Sequence, residues 1–108
     1  MNYYYFLLLA ILFEVCGTTC MKLSEGFSKL APSVLIFVFY AISFIFFTLA
    51  LKGIDVSIAY AIWAGLGTAL ITMVGILWFR EPAHALKIIS LAVVVMGVIG
   101  LHLSDRAA

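Results

Sequence analysis

A single carboxylate, Glu14, falls at the twelfth position of the 19-residue stretch Tyr3–Met21, which is otherwise uncharged and mostly apolar. The other ten charged side chains lie in short connections, at the ends of apolar stretches or near the C-terminus. A carboxylate near mid-bilayer costs about 2.5–3.5 kcal/mol on insertion scales and marks proton, ion or substrate pathways. Withdrawal from water disfavours its charged form. A glutamate in that setting can hold a proton or exchange it for a cation. The structural alternative is a protonated side chain hydrogen-bonded between helices.

Helical spacing puts Leu7, Ala10, Glu14, Gly17, Thr18 and Met21 on one face, small or polar apart from its ends, as a cavity wall would be. Tyr60 and Trp63 are three residues apart, so both rings share a face of a later helix. Aromatic faces attract cations by roughly 0.5–2 kcal/mol. Such rings around a carboxylate suit a hydrophobic cation; alternatively, they anchor the helix at the membrane interface, as Trp78 is expected to do. Tyr40 and Ser43 share another face, with interhelical hydrogen bonding and substrate contact both open to them. Thr18 and Thr19 are also candidates for bonding back to their own helix.

Gly65 and Gly67, among Ala64, Thr68 and Ala69, make the middle of the third stretch either bendable or closely packable. Ser90 and Gly97 line one stripe of the fourth, which suits close helix approach and self-association. Cys16 and Cys20, the only cysteines, lie four apart in the first stretch. Two thiols fall short of the four ligands of a closed zinc site, so no metal is expected and both are read as packing residues. His84 and His102 are read as surface residues.

The elements that must position these groups follow from composition. Of 108 residues, 67% are hydrophobic and 10% charged, against roughly 45–50% and 25% in soluble domains. The chain is an all-α membrane protein with four stretches of spanning length: Tyr3–Met21, Pro32–Leu51, Val56–Phe79 and Ala85–Leu103. They form one transmembrane domain over residues 1–108, with no room for a soluble catalytic domain, and the chain is not read as an enzyme. A net charge of +1 offers no basic field for nucleic acid. The N-terminus lacks a positive region and Glu14 interrupts its apolar run, so it is not expected to be a cleaved signal peptide. Gly65-Leu66-Gly67 is not followed by the Lys-Ser/Thr of a phosphate loop, so ATP is not the expected energy source.

Connections this short make neighbouring helices antiparallel. One side of the membrane then carries Lys22, Lys29, Arg80 and Lys87, and the other carries Lys52, Arg106 and the terminal amine. So small a difference barely decides orientation and leaves insertion both ways open.

These residues together resemble the small multidrug resistance family over nearly the whole chain. The resemblance rests on Glu14-Val15-Cys16-Gly17-Thr18-Thr19-Cys20-Met21-Lys22 with Ser24-Glu25-Gly26-Phe27, and on Ile58-Ala59-Tyr60-Ala61-Ile62-Trp63-Ala64-Gly65-Leu66-Gly67. It implies a four-helix, multi-pass protein of the bacterial inner membrane that works as an antiparallel dimer. It implies that Glu14 binds protons and substrate in competition, that Tyr60 and Trp63 pack around the substrate, and that Tyr4, Thr18, Tyr40 and Ser43 line or support the chamber. It also implies that the fourth helix supplies much of the dimer contact. Guanidinium exporters of the family typically carry Trp where this chain has Cys16, so the resemblance is to the quaternary-ammonium, multidrug branch. Two departures bear on loop mobility and chamber width: Asp55-Val56-Ser57 replaces a frequent Pro-x-Gly, and Leu8-Leu9 stands where small glycines sometimes occur.

The combined reading is a cofactor-free antiporter, driven by the proton gradient, that exports hydrophobic cations. A homodimer is expected, and a heterodimer with a related chain remains open. The rivals are a guanidinium exporter, a small channel or proton leak, and a structural subunit in which Glu14 only pairs helices.

Overall fold

The computed structural model describes residues 2–107, with side chains through residue 105, so the side chain of Arg106 and the terminal amine counted above lie outside the described set. The described residues form four helices and no strand: α1 (Tyr3–Leu23), α2 (Leu30–Ala50), α3 (Val56–Leu77) and α4 (Ala85–Ala107). At about 1.5 Å rise per residue, spans of 21 to 23 residues match a hydrocarbon core about 30 Å thick. Each also has the apolar composition needed to cross a membrane. The chain divides into two compact units, residues 1–54 and 55–108.

In the first unit α1 begins at Asn2, whose side chain accepts the Tyr4 N–H at 3.0 Å and satisfies one of the donors that a helix start leaves unpaired. The α1–α2 turn is built on Ser24, which is almost fully buried. Its hydroxyl donates to the Met21 carbonyl (2.8 Å) and accepts the Phe27 N–H (3.2 Å). Glu25, Gly26 and Phe27 all take left-handed backbone angles, with φ of 49°, 71° and 68°. Only Gly26 does so without steric cost. Phe27 is stacked on Phe37 of α2, at 6.3 Å between ring centroids.

Helix α2 starts at Leu30, two residues before Pro32. Proline is tolerated there because the first-turn N–H groups have no intrahelical acceptor in any case. Residues early in α1 meet residues late in α2, so the pair is an antiparallel hairpin. Phe6 and Phe13 both stack on Phe46, at 6.2 and 5.9 Å, and Phe13 also meets Phe39 at 6.1 Å. The i, i+7 spacing of Phe6 with Phe13 and of Phe39 with Phe46 places these rings in register. The fully buried Ser43 hydroxyl donates to the Ala10 carbonyl at 2.6 Å and ties α2 to the α1 backbone. At the open end of the hairpin the Tyr3 ring lies directly on Gly53.

In the second unit α3 stops at Leu77 rather than Phe79. Arg80 turns left-handed (φ 57°), and the Glu81 N–H reaches back to the Gly75 carbonyl at 3.0 Å. Pro82 follows, and a residue before proline is biased away from helix. The Glu81 carboxylate lies against Gly75, where a Cβ would meet Oε1. Lys87, near the start of α4, folds back on the α3–α4 connection. Its ammonium donates to the Pro82 carbonyl (3.0 Å) and stands 3.9 Å from Glu81 Oε1. Farther along, Val98 of α4 fits over Gly65 of α3; a Cβ at Gly65 would lie 2.5 Å from Val98 Cγ2.

Large exposed apolar side chains such as Phe37, Leu77 and Leu86 are ordinary for a chain whose solvent is lipid. Lipid tails are as apolar as leucine, so close packing and interhelical hydrogen bonds hold such helices together.

Candidate functional site around Glu14

Glu14 sits in the middle of α1 on the face turned to α2, with Leu7, Ala10 and Gly17 buried on the same stripe. One carboxylate oxygen, Oε1, collects two hydroxyls. Thr18, one turn on, donates to it from Oγ1 at 2.8 Å, and the Tyr40 phenol of α2 stands 3.3 Å away. The two hydroxyls are themselves 2.6 Å apart.

Each hydroxyl has one hydrogen, which orders the cluster. The 2.6 Å contact is much the better bond for the Tyr40 hydrogen, so Tyr40 donates to Thr18 and Thr18 donates to the carboxylate. The 3.3 Å contact is a weak second interaction. Hydrogen bonds donated to a carboxylate favour its ionised form, against the desolvation that favours the neutral one. The arrangement can hold a carboxylate in an apolar setting, and it leaves Oε2 outside the hydroxyl chain. The Met21 thioether borders the cluster, 3.9 Å from the Tyr40 oxygen.

The expected site residues are placed as follows. Glu14, Thr18 and Tyr40 come together in the first unit. Thr18 donates to the Glu14 side chain one turn back, whereas Thr19 donates to the α1 backbone, at the Val15 carbonyl 2.8 Å away. The difference follows from helix geometry, which puts the residue at i+4 from Glu14 within reach of its side chain. Ser43 serves the helix–helix bond already described, one turn from Tyr40 on α2. Tyr4, half-buried, lies ten residues before Glu14 on the same helix, about 15 Å along its axis.

In the second unit Tyr60 and Trp63 form an edge-to-face pair, with centroids 5.7 Å apart at 80°. That is a favourable geometry for two ring quadrupoles, and it leaves Tyr60 exposed. Gly65 is occupied by the α4 valines, and Gly67 is buried. Ser90 and Gly97 are exposed on α4, and a Cβ at Gly97 would meet nothing within 4 Å.

One contact was not foreseen from the residues. Gly17 receives the Tyr40 ring, and a Cβ there would lie 2.7 Å from both Cδ2 and Cε2. The available signal was a glycine at i+3 from the carboxylate on the same face.

Against this geometry, the profile of the family described as Small Multidrug Resistance protein matches residues 1–94. The chain belongs to the small multidrug resistance family. The matched segment holds Glu14, Thr18, Tyr40, Tyr60, Trp63 and Ser90, and ends before Gly97. Among relatives, the chain is 54% identical to the Bacillus subtilis (strain 168) protein YvaE, described as an uncharacterized membrane protein, over 95% of this chain and 87% of that one. It is 42% identical to the quaternary ammonium compound-resistance protein QacE of Escherichia coli, over 95% and 94% of the two chains. It is 37% identical to the multidrug resistance protein mmr of Mycobacterium leprae, over 94% and 96%. With four helices able to span and bacterial relatives matched over most of both chains, this small multidrug resistance chain is a multi-pass membrane protein.

Proposed function

We propose that this chain is a proton-coupled antiporter of the bacterial inner membrane that exports hydrophobic and quaternary ammonium cations, with Glu14 as the shared proton and substrate site. The observation that carries the reading is the mid-span carboxylate met by two hydroxyl groups. A Glu14 carboxyl gives up its proton to water, the hydroxyls steady the resulting carboxylate, and an organic cation takes the place of the proton. Because one carboxylate binds either species, each displaces the other. Protons entering from outside release cations outward, and cations arriving from inside release protons inward. The names of QacE and mmr support cationic drugs as the substrate class. The edge-to-face pair Tyr60–Trp63 supplies aromatic surface suited to such cations.

Four helices are too few to enclose a pathway, so the working unit is a dimer with two Glu14 side chains in one chamber. Like charges so placed titrate as a coupled pair. The weak charge bias of the connections favours an antiparallel, dual-topology homodimer. A related second chain is the alternative partner. Ser90 and Gly97 are the expected dimer contacts on α4, and Gly65 and Gly67 the expected places for α3 to change shape. Cys16 weighs against a guanidinium exporter.

A second reading is favoured by the interhelical hydrogen bonds themselves: Glu14 as a clasp between α1 and α2. Glu14→Gln separates the two, because the amide oxygen still accepts from Thr18 and Tyr40 but cannot titrate. The deciding experiment adds tetraphenylphosphonium to purified protein in detergent near neutral pH and measures released protons. Release by wild type that vanishes in Glu14→Gln is expected. A folded wild type that binds the cation and releases no protons would overturn antiport in favour of a channel or a structural role.

A further inference from the structure

Gly17 and Tyr40 form a close ring-on-backbone contact beside the carboxylate. A Cβ at Gly17 would lie 2.7 Å from two ring carbons and 3.4 Å from the Phe39 Cβ. Such a carbon could not be accommodated without moving the ring. The ring meets Phe44 at 5.9 Å and its hydroxyl is bonded to Thr18, so a shift of the ring acts directly on the Thr18 bond. Removing the glycine hydrogen for a methyl therefore pushes the phenol away from the Thr18–Glu14 pair. Neither the residue's helix propensity nor its polarity would suggest a link to proton chemistry.

We propose that Gly17 is a positioning residue. By lacking a Cβ it seats Tyr40 against α1, and through Tyr40 it sets how well cations compete with protons at Glu14. The inference rests on the reading of Glu14 as the shared proton and cation site. With the phenol seated, the chain Tyr40–Thr18–Glu14 delivers hydrogen bonds to the ionised carboxylate. With the phenol displaced, Thr18 loses the donor that orients and polarises it, and the neutral carboxyl gains. Within this hairpin, Tyr40 is the titratable group that α2 turns toward Glu14. On α1 itself Cys20 is buried a turn and a half away, Cys16 is exposed, and Lys22 lies at the helix end, about 12 Å along the axis. Among the described residues of the hairpin, the other charged groups, Lys22, Glu25, Lys29 and Lys52, lie at a helix end or in the turns.

The test follows tetraphenylphosphonium binding against pH for the full chain in lipid bicelles, in wild type, Gly17→Ala, Tyr40→Phe and the double variant. Loss of a hydrogen bond serving a charged group corresponds to a shift of about one pH unit. The pH at which protons remove half the bound cation is therefore expected to rise by about one unit in each single variant. The double variant is expected to move no further, because both changes remove the same phenol. An unmoved profile in Gly17→Ala, or a double variant equal to the sum of the singles, overturns the proposal. Should Gly17→Ala fail to fold, Tyr40→Phe and Thr18→Val add no atom to the crowded seat, and unmoved profiles in both overturn it equally. The pH response of the Glu14 carboxyl carbon, read by 13C NMR without cation, separates the two claims. If wild type shows no cation–proton competition, the antiport reading fails. The same Gly17→Ala displacement of the 13C response, present or absent, still decides the role of Gly17.

Discussion

In the α1–α2 hairpin, a buried serine bonds the facing backbone, four phenylalanines interlock, and a tyrosine crosses to a carboxylate. In the α3–α4 hairpin Val98 and Val94 pack over Gly65, and none of the membrane-spanning window of α4 is buried, against 33% for α1. The first hairpin joins its helices with directional bonds, whereas the second seats two valines of α4 over a glycine of α3 by shape. Directional bonds fix side chains to within a fraction of an ångström, as a proton site requires. Shape packing between smooth apolar surfaces tolerates sliding, and it leaves the rest of α4 for lipid or another copy of the chain.

The contrast can be broken most sharply at Glu14. Glu14→Gln is expected to abolish cation-driven proton uptake into liposomes while leaving the thermal stability of the α1–α2 hairpin near wild type. Equal loss of stability and transport would mean that the first hairpin uses Glu14 for structure.

The next largest effect falls in the second hairpin. Gly65→Ala adds overpacking of about 1–3 kcal/mol against Val98, partly offset by a helix-propensity gain of about 0.5–1 kcal/mol. A net loss of about 1–2 kcal/mol is expected in denaturant unfolding. Adding Val98→Ala should restore most of it. If it restores nothing, Gly65 serves as a bend rather than as a seat for the valine. The same step at Gly97 meets no described atom within 4 Å, so under the proposed dimer its cost should appear in self-association and not in unfolding.

Ser43→Ala sharpens the opposite side of the comparison. A loss of about 1 kcal/mol is expected, in line with interhelical hydrogen bonds measured in membranes. Proton release should keep its amplitude, because Ser43 bonds the Ala10 carbonyl and not the carboxylate. A large drop in amplitude at preserved stability would instead place Ser43 in the cation chamber.

The smallest effect is expected at the exposed Glu25–Lys29 pair, 3.2 Å apart at the α1–α2 turn. Glu25→Gln should change stability by less than about 0.5 kcal/mol, since solvent screens such pairs. A loss above about 1 kcal/mol would show that the left-handed turn depends on that carboxylate.

Much of the molecule was legible beforehand because span length and hydropathy are local properties of the chain. Four spans, the short turns between them and one carboxylate far from either end follow from composition and spacing alone. Helical periodicity also put Glu14, Gly17 and Thr18 on one face. The ends of the helices were less legible: Pro32 suggested a start where it only occupies a first turn, and Trp78 and Phe79 continued an apolar run past Leu77, where the helix ends ahead of the turn at Arg80. Ser43 and Tyr40, equivalent by spacing, part company in the structure, one bonding the Ala10 backbone and the other reaching the Glu14–Thr18 pair.

What the sequence by itself determined is therefore a four-span membrane chain with a lone carboxylate at depth, since these depend on residue type along the chain. What only the tertiary structure decided is which hydroxyls meet that group. The Tyr40–Thr18 bond joins residues 22 apart and the Ser43–Ala10 bond residues 33 apart. Their meeting depends on the register of one helix against another, in which the Tyr40 ring falls where Gly17 leaves room for it.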